Sequence, residues 1–386
     1  MRNLLLLLFG FASLEVAIAA KQKLVPGRAF DRLITIWLEN QDFAKTAIDT
    51  SIVGLKKQGI LLTRYYAQTH PSQPNYIAAV GGDYFGCDHD DVVRIPENVS
   101  TIVDLLDYKD VSWAGYFEDM PGPGYMGAAS DGKTGNGAYD YVRKHNPFVS
   151  YDSINMNGSR LLNMRSFDAF QRDFAAKRVP QFVFMSPNMM NDGHNTTLKY
   201  ATDWSHQFLQ PLLADNAFDG KTLIMLTFDE SETYSEPNHI VTLLLGNAIP
   251  EELKGTEDHV FYTHYSILST VEYNWGLPHL GRYDVGANVF RWVGEMTGYD
   301  RFKDPTNAAM VDNSVSYAGI LSADPAKRLP IPVPNMYLVG ASGISVLESI
   351  RATWETFPYQ DTPYDGSGRV YDGAKNLPEY KPPRAN

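Results

Sequence analysis

What most constrains this chain is a set of short, largely apolar and β-branched runs at 33–38, 111–116, 181–185, 222–228 and 240–245. Helix-like stretches at 101–106, 167–176, 202–213 and 265–275 separate them. Runs that are largely apolar belong to strands covered on both faces, and strands interleaved with helices belong to a mostly parallel sheet. The pattern predicts an α/β fold with a mostly parallel central sheet between helical layers. Ser100 and Ser166 stand at N-cap positions ahead of two of the helices, each with an acid in the first turn.

In sheets of this kind ligands bind beyond the carboxyl ends of the strands. Run 33–38 ends in Glu39-Asn40, run 222–228 in Asp229-Glu230, and run 181–185 continues through Ser186-Pro187-Asn188 to Asp192-Gly193-His194. One acid after a buried strand is commonly a solvated bystander. Glu39, Asp229 and Glu230 brought together beside Asn40 would instead repel one another. A hard divalent cation removes that conflict, because carboxylate and amide oxygens are its preferred ligands. Either these groups stand apart at the sheet rim, or they close on a metal; its identity stays open because oxygen-rich sites accept several ions.

The segment His70-Pro71-Ser72-Gln73-Pro74-Asn75-Tyr76, followed by apolar residues to Gly81-Gly82, reads as a serine just before a helix opened by proline and closed by glycine. Ser72 has two readings. It caps the helix, or its hydroxyl, at a positive helix end beside a metal, is activated as a nucleophile while the unpaired helix amides hold phosphoryl oxygens. Asn75 in the same segment is a further candidate phosphate ligand. Of the nine histidines, His145 and His194 lie in the most polar loops and are candidates to bind phosphate or protonate a leaving alkoxide. His264, at a helix start, is a third candidate phosphate ligand, with capping or packing as its other reading. His89, His206, His239, His259 and His279 are taken as structural or surface residues.

The start of the chain, Arg2 followed by an apolar run and then Ala17-Ile18-Ala19, reads as a signal peptide over 1–19 and predicts export. No later stretch is long and apolar enough to span a membrane. Asn98, Asn157 and Asn195 head N-glycosylation sequons. Cys87 is the only cysteine, which excludes an internal disulfide and fits a small buried hydrophobe. A net charge of −12 argues against nucleic-acid or anionic-membrane partners. Residues 20–356 read as a single catalytic domain, with Gly/Pro-rich surface excursions at 120–137 and 307–334. Residues 357–386 read as a polar tail carrying no chemistry. No oligomeric state is implied.

Glu39-Asn40-Gln41-Asp42-Phe43, His70-Pro71-Ser72-Gln73-Pro74-Asn75-Tyr76, Ser186-Pro187-Asn188 with Asp192-Gly193-His194, and Phe228-Asp229-Glu230 together resemble the phosphoesterase family of fungal secreted acid phosphatases and, more distantly, bacterial phospholipases C. The resemblance implies an alkaline-phosphatase-like three-layer α/β/α core. It implies a divalent-metal and nucleophile centre at Glu39, Asn40, Ser72, Asp229 and Glu230, with phosphate contacts from His145 and His194. Phospholipase members carry Arg where this chain has Tyr76, which points away from lipid cleavage. The expected activity is hydrolysis of small phosphate monoesters through a phosphoseryl intermediate. The alternatives are a phosphodiesterase or phospholipase C on the same site and a non-catalytic secreted binding protein. A serine esterase is disfavoured by the lack of a Gly-x-Ser-x-Gly elbow.

Overall fold

In the computed structural model, which describes residues 24–130, 139–304, 315–357 and 362–368, strand β1 (Arg32–Leu38) is buried along its whole length. The expected signal peptide and most of the expected tail lie outside the described residues. The further strands are β2 (Ile60–Tyr66), β3 (Trp113–Phe117), β4 (Ala129–Ser130), β5 (Tyr141–Val142), β6 (Met164–Ser166), β7 (Phe182–Ser186), β8 (Thr222–Phe228), β9 (His239–Leu245), β10 (Thr256–Asp258) and β11 (Tyr262–Thr263).

Among the described residues, nine strands form one sheet in the order β10-β2-β9-β8-β1-β7-β3-β6, with β11 beside β2; β4 and β5 form a separate ribbon. β1 runs parallel to both its neighbours, β8 and β7, so their carboxyl ends emerge together. Only β9 breaks the parallel order, pairing antiparallel with β8 and β2. Full burial of β1, β7 and β8 is what their largely apolar runs favour, and the few polar side chains among them, such as Thr35 and Thr227, are hydrogen-bonded inside. Each such side chain contributes roughly 1.5–3 kcal/mol relative to exposure.

Helices cover both faces. Ser72–Gly81 and Tyr265–Trp275 are buried at every residue, while Phe167–Ala175 and Leu198–Leu209 pack together through Phe167 and Phe170 against Phe208. The result is the three-layer architecture expected from the sequence, with several boundaries moved. Thr101 rather than Ser100 caps helix Ile102–Asp107, through a reciprocal capping box with Asp104. Ser166 precedes its helix but its hydroxyl makes no cap, because its backbone belongs to β6 and pairs with Phe117. The helix expected at 202–213 is Leu198–Leu209, capped by Thr197 and stopped ahead of Pro211, whose ring and missing N–H end a helix. Strand β2, with polar residues in its middle, was not anticipated.

Tyr364 is fully buried; it donates to Asp83 and accepts from Arg282 Nη1 at 2.6 Å, tying the described part of the tail into the core. Cys87 is free and buried, its thiol pushed up to about 12 by burial. No helix among the described residues is long and apolar enough to cross a membrane.

Candidate active site

The register Leu38↔Phe228 brings the next residues of β1 and β8 out side by side. Asp229 N–H donates to Leu38 O at 3.0 Å, and Asn40 N–H donates to Asp229 Oδ1 at 3.1 Å. Asn40 turns the chain with φ 38°, in the left-handed region where asparagine is tolerated better than most residues. From β7 the chain loops back under Asn188, whose Oδ1 accepts from Met190 and Asn191 N–H, so that Asp192 O accepts from Glu39 N–H at 3.0 Å. Three parallel strand ends thus deliver Glu39, Asp229-Glu230 and Asp192 to one place, all of them buried.

Ser72 reaches the same place from a helix. It is the first residue of Ser72–Gly81, with Pro71 in the N-cap position, so its hydroxyl does not cap the helix. Ser72 Oγ lies 3.0 Å from Glu39 Oε2 and 3.2 Å from Glu230 Oε1. The carboxamide oxygen of Asn40 faces only acceptors: Asp229 Oδ1 at 3.1 Å, Glu230 Oε1 at 3.2 Å and Glu39 Oε2 at 3.3 Å; a reversed amide would donate to all three. Oxygens from Glu39, Asn40, Ser72, Asp229 and Glu230 therefore converge, a donor set suited to a hard divalent cation.

The second oxygen of Glu39 faces a different group. His145, in the short 3-10 turn Arg143–His145, sets Nε2 3.2 Å from Glu39 Oε1 and Nδ1 3.4 Å from Asp192 Oδ2. Glu39, His145 and Asp192, all buried, offer ligand atoms within 4.8 Å of one another, a further group able to hold a metal ion. Tyr76 Oη donates to Glu39 Oε1, and the Tyr76 ring stacks on His145 at 5.1 Å. Tyr76 thus orients Glu39 from behind. On the other flank His70 Nδ1 meets Glu230 Oε2, and the His70 ring stacks on Tyr234 at 3.8 Å.

Without a cation this cluster holds on to protons. Burial, then the neighbouring Asp192, pushes Glu39 up to about 8. Burial does the same to Asp192, Asp229 and Glu230, and mutual repulsion among the acids adds to it. The histidines move the opposite way: burial brings His70 down to about 4 and His145 well below its ordinary range. Burial favours neutral imidazoles and protonated carboxyls in such a cluster, and a bound cation would favour the deprotonated acids.

The other sequence candidates divide. His194 is exposed at the rim, its ring 6.3 Å from that of His145 and its Nδ1 3.1 Å from Asn195 Oδ1. Asn75 does not reach the opening: Oδ1 accepts from Gln68 and Thr69 N–H, and Nδ2 donates to Thr69 and Pro71 carbonyls. His264 is fully buried, with Nε2 2.7 Å from Asp229 O and Nδ1 3.3 Å from Tyr65 Oη, and so supports the Asp229 backbone instead of facing the opening. The helix amides expected to be unpaired are not all so, since Gln73 N–H donates to Asp90 Oδ1 at 3.0 Å. Asn98, Asn157 and Asn195 are exposed.

The contacts of His70 with Glu230, of Asp192 with His145 and of Tyr76 with Glu39 were not evident from the sequence. His70, Asp192 and Tyr76 lie inside the motifs singled out there. The polar loop after β7, Asn188 to His194, and the histidine two residues before Ser72 were the available signals.

The sequence profile of the Phosphoesterase family matches residues 37–278. An acid phosphatase of Aspergillus fumigatus is 45% identical over 356 residues, covering 91% of this chain and 78% of that protein. A phosphate-repressible acid phosphatase of Penicillium chrysogenum is 44% identical over 347 residues, covering 88% of this chain and 82% of that protein. A solved structure of a protein in the alkaline phosphatase superfamily from Vibrio parahaemolyticus is similar at 11% identity and a TM-score of 0.44, covering 65% of this chain and 68% of that one.

Proposed function

The chain belongs to the Phosphoesterase family, and from that premise we propose that it is an acid phosphatase hydrolysing phosphate monoesters with Ser72 as nucleophile. The observation that carries this reading is the position of Ser72 Oγ, 3.0 and 3.2 Å from two of the carboxylates that crowd the ends of β1 and β8. The acid phosphatases that align with most of the chain support the reaction class.

A divalent cation held by Glu39, Asn40, Asp229 and Glu230 would lower the pKa of the Ser72 hydroxyl and offset negative charge at phosphorus. The chain's own groups do the rest. Glu39 and Glu230 are within reach of the Ser72 proton. Ser72 Oγ forms a bond to phosphorus as the ester P–O bond breaks, giving a phosphoserine and an alkoxide. His194, exposed at the rim, is placed to protonate that alkoxide, while His145, pinned between Glu39 and Asp192, orients the acids. Water then attacks the phosphoserine and returns Ser72 and inorganic phosphate. We further infer that residues 1–19 direct export and that Asn98, Asn157 and Asn195 carry glycans, on the strength of the N-terminal sequence and the three sequons.

The test is an assay of the purified protein on a generic phosphomonoester and on a phosphodiester, with Ser72→Ala alongside and bound metal measured by elemental analysis. Turnover of the monoester, lost in Ser72→Ala, is expected; activity retained in that variant overturns the nucleophile, and preference for the diester overturns the substrate class. Secretion is checked by recovery of mature protein from culture medium with its new N-terminus sequenced.

A further inference from the structure

Next to Ser72, one carboxylate stands where a substrate anion belongs. Asp90 Oδ1 accepts from Gln73 N–H at 3.0 Å, in the first turn of a ten-residue helix, and Asp90 Oδ2 takes the Lys144 ammonium at 2.9 Å. Two donors from separate elements thus meet on one anion, at the residue that follows the proposed nucleophile. A phosphoryl group presents its non-bridging oxygens to paired donors in the same way.

We propose that Lys144 and the Gln73 backbone N–H form the pocket for the phosphoryl group of the substrate, and that the Asp90 side chain occupies this pocket until substrate displaces it. The inference rests on the phosphatase reading above. Three features support it. First, the charge of Lys144 reaches the acid cluster, favouring ionised Glu39, Asp192 and Asp229 and disfavouring protonated His145 and His194. Its side chain is 15% exposed against 32% for Asp90, so the acid is the more accessible member of the pair.

Second, the loop that carries Asp90 is held independently of its carboxylate. Gln73 Nε2 donates to His89 O at 3.0 Å and to Asp91 O at 2.8 Å. The Asp90 side chain can therefore rotate away while its backbone stays in place. Third, Gln73, Asp90 and Lys144 line a cavity of about 490 Å3 whose other walls include Val92, Tyr139 and Val142, so open space adjoins the pair. Nearby, Nε2 of buried His70 has no hydrogen-bond partner among the described residues, a second sign of a group arranged for a ligand, while its Nδ1 meets Glu230 Oε2. Asp90 acts, on this view, as an internal competitor that keeps Lys144 in place and makes phosphate binding weaker than the bare pocket would allow.

Titration of inorganic phosphate into the protein by calorimetry, with Asp90→Asn, Asp90→Ser, Lys144→Met and the Asp90→Asn/Lys144→Met double variant, tests this. Asn and Ser keep an acceptor for the Gln73 N–H and remove the competing charge. Both are expected to bind phosphate about fivefold or more tighter, and Lys144→Met about tenfold or more weaker, the scale of one charge-assisted hydrogen bond. In the Lys144→Met background, Asp90→Asn should tighten binding far less, because the pair shares one pocket. Phosphate binding that is unchanged or weaker in both Asp90 variants overturns the proposal, as does a wild-type protein that binds no phosphate. A wild-type protein that shows these responses yet hydrolyses no phosphomonoester overturns the reaction and leaves the pocket standing. An active protein whose Asp90 variants bind phosphate no tighter overturns the pocket alone.

Discussion

Ser72 Oγ and Glu39 Oε2 stand 3.0 Å apart although the two residues come from different kinds of element, one opening a buried helix and the other ending the central strand. The contact joins the proposed nucleophile to the acid that also faces His145 and Tyr76. Its consequences are open to measurement.

Ser72→Ala should reduce kcat by about a thousandfold or more, the scale seen when a nucleophile is removed. The hydroxyl makes no helix cap, so the thermal midpoint should stay within about 2 °C of wild type, a shift smaller than the loss of one ordinary interaction gives. Steady-state kinetics and a melting curve on the same preparation check both halves.

Asp229→Asn and Glu39→Gln should each lose bound metal, and metal binding to the wild type should release protons. The buried acids hold protons well above the ordinary carboxylate range, Glu39 to about 8, and these must leave as a cation enters. Apparent metal affinity should therefore rise with pH across the acid and neutral range. Calorimetry in two buffers of different ionisation enthalpy gives the proton count, and a count of zero speaks against the cluster as ligand set.

The same shifts fix a sign for stability. An acid whose folded pKa is raised keeps its proton in the folded chain after the unfolded chain has lost it. Its contribution is full below the unfolded value and declines as pH rises toward the folded one. With excess chelator the melting temperature should fall as pH rises from about 6.5 toward 8: below that window the buried histidines, whose values burial lowers, pull the opposite way, and within it the raised acids, Glu39 among them, set the slope. Saturating metal should flatten or reverse that slope, since bound cation favours the deprotonated acids. Melting curves at several pH values, with and without chelator, measure it.

Tyr76→Phe removes the hydroxyl that donates to Glu39 while keeping the ring that stacks on His145. Metal affinity should weaken about tenfold or more, the usual effect of deleting a group that orients a ligand. Competition with a chelating dye reads this without reference to activity.

Thr101→Ala deletes the side chain of a capping box and should cost about 1 kcal/mol of stability with activity intact, whereas Ser100→Ala should cost little. Denaturant titration of the pair tests where the helix begins.

Much of the site was legible because it sits where apolar runs stop. β1 and β8 carry no acidic residue until Glu39 and Asp229, and the acids that follow their largely apolar runs stand out for that reason. Ser72 stands out as a candidate through the helix punctuation around it, Pro74 within the first turn and Gly82 just past the end. What stayed hidden depends on contacts between residues distant in the chain. His70 becomes part of the site through Glu230, and Tyr76 through Glu39 and His145. Asn75 and His264 misled for the converse reason: both are polar and near the motifs, but tertiary folding had already spent their nitrogens and oxygens on nearby backbone and a tyrosine hydroxyl. β2 was missed because its middle residues, Thr63 and Arg64, break the apolar run.

The pairing of Leu38 with Phe228 has one more consequence. Glu39 and Asp229 point the same way only because the two strands reach the rim in step, and a one-residue change in the length of either would turn its acid to the opposite side of the sheet. Exchange of one apolar residue for another within β1 or β8 is thus a matter of packing. A single inserted or deleted codon there would dismantle the chemistry while leaving an apolar strand behind.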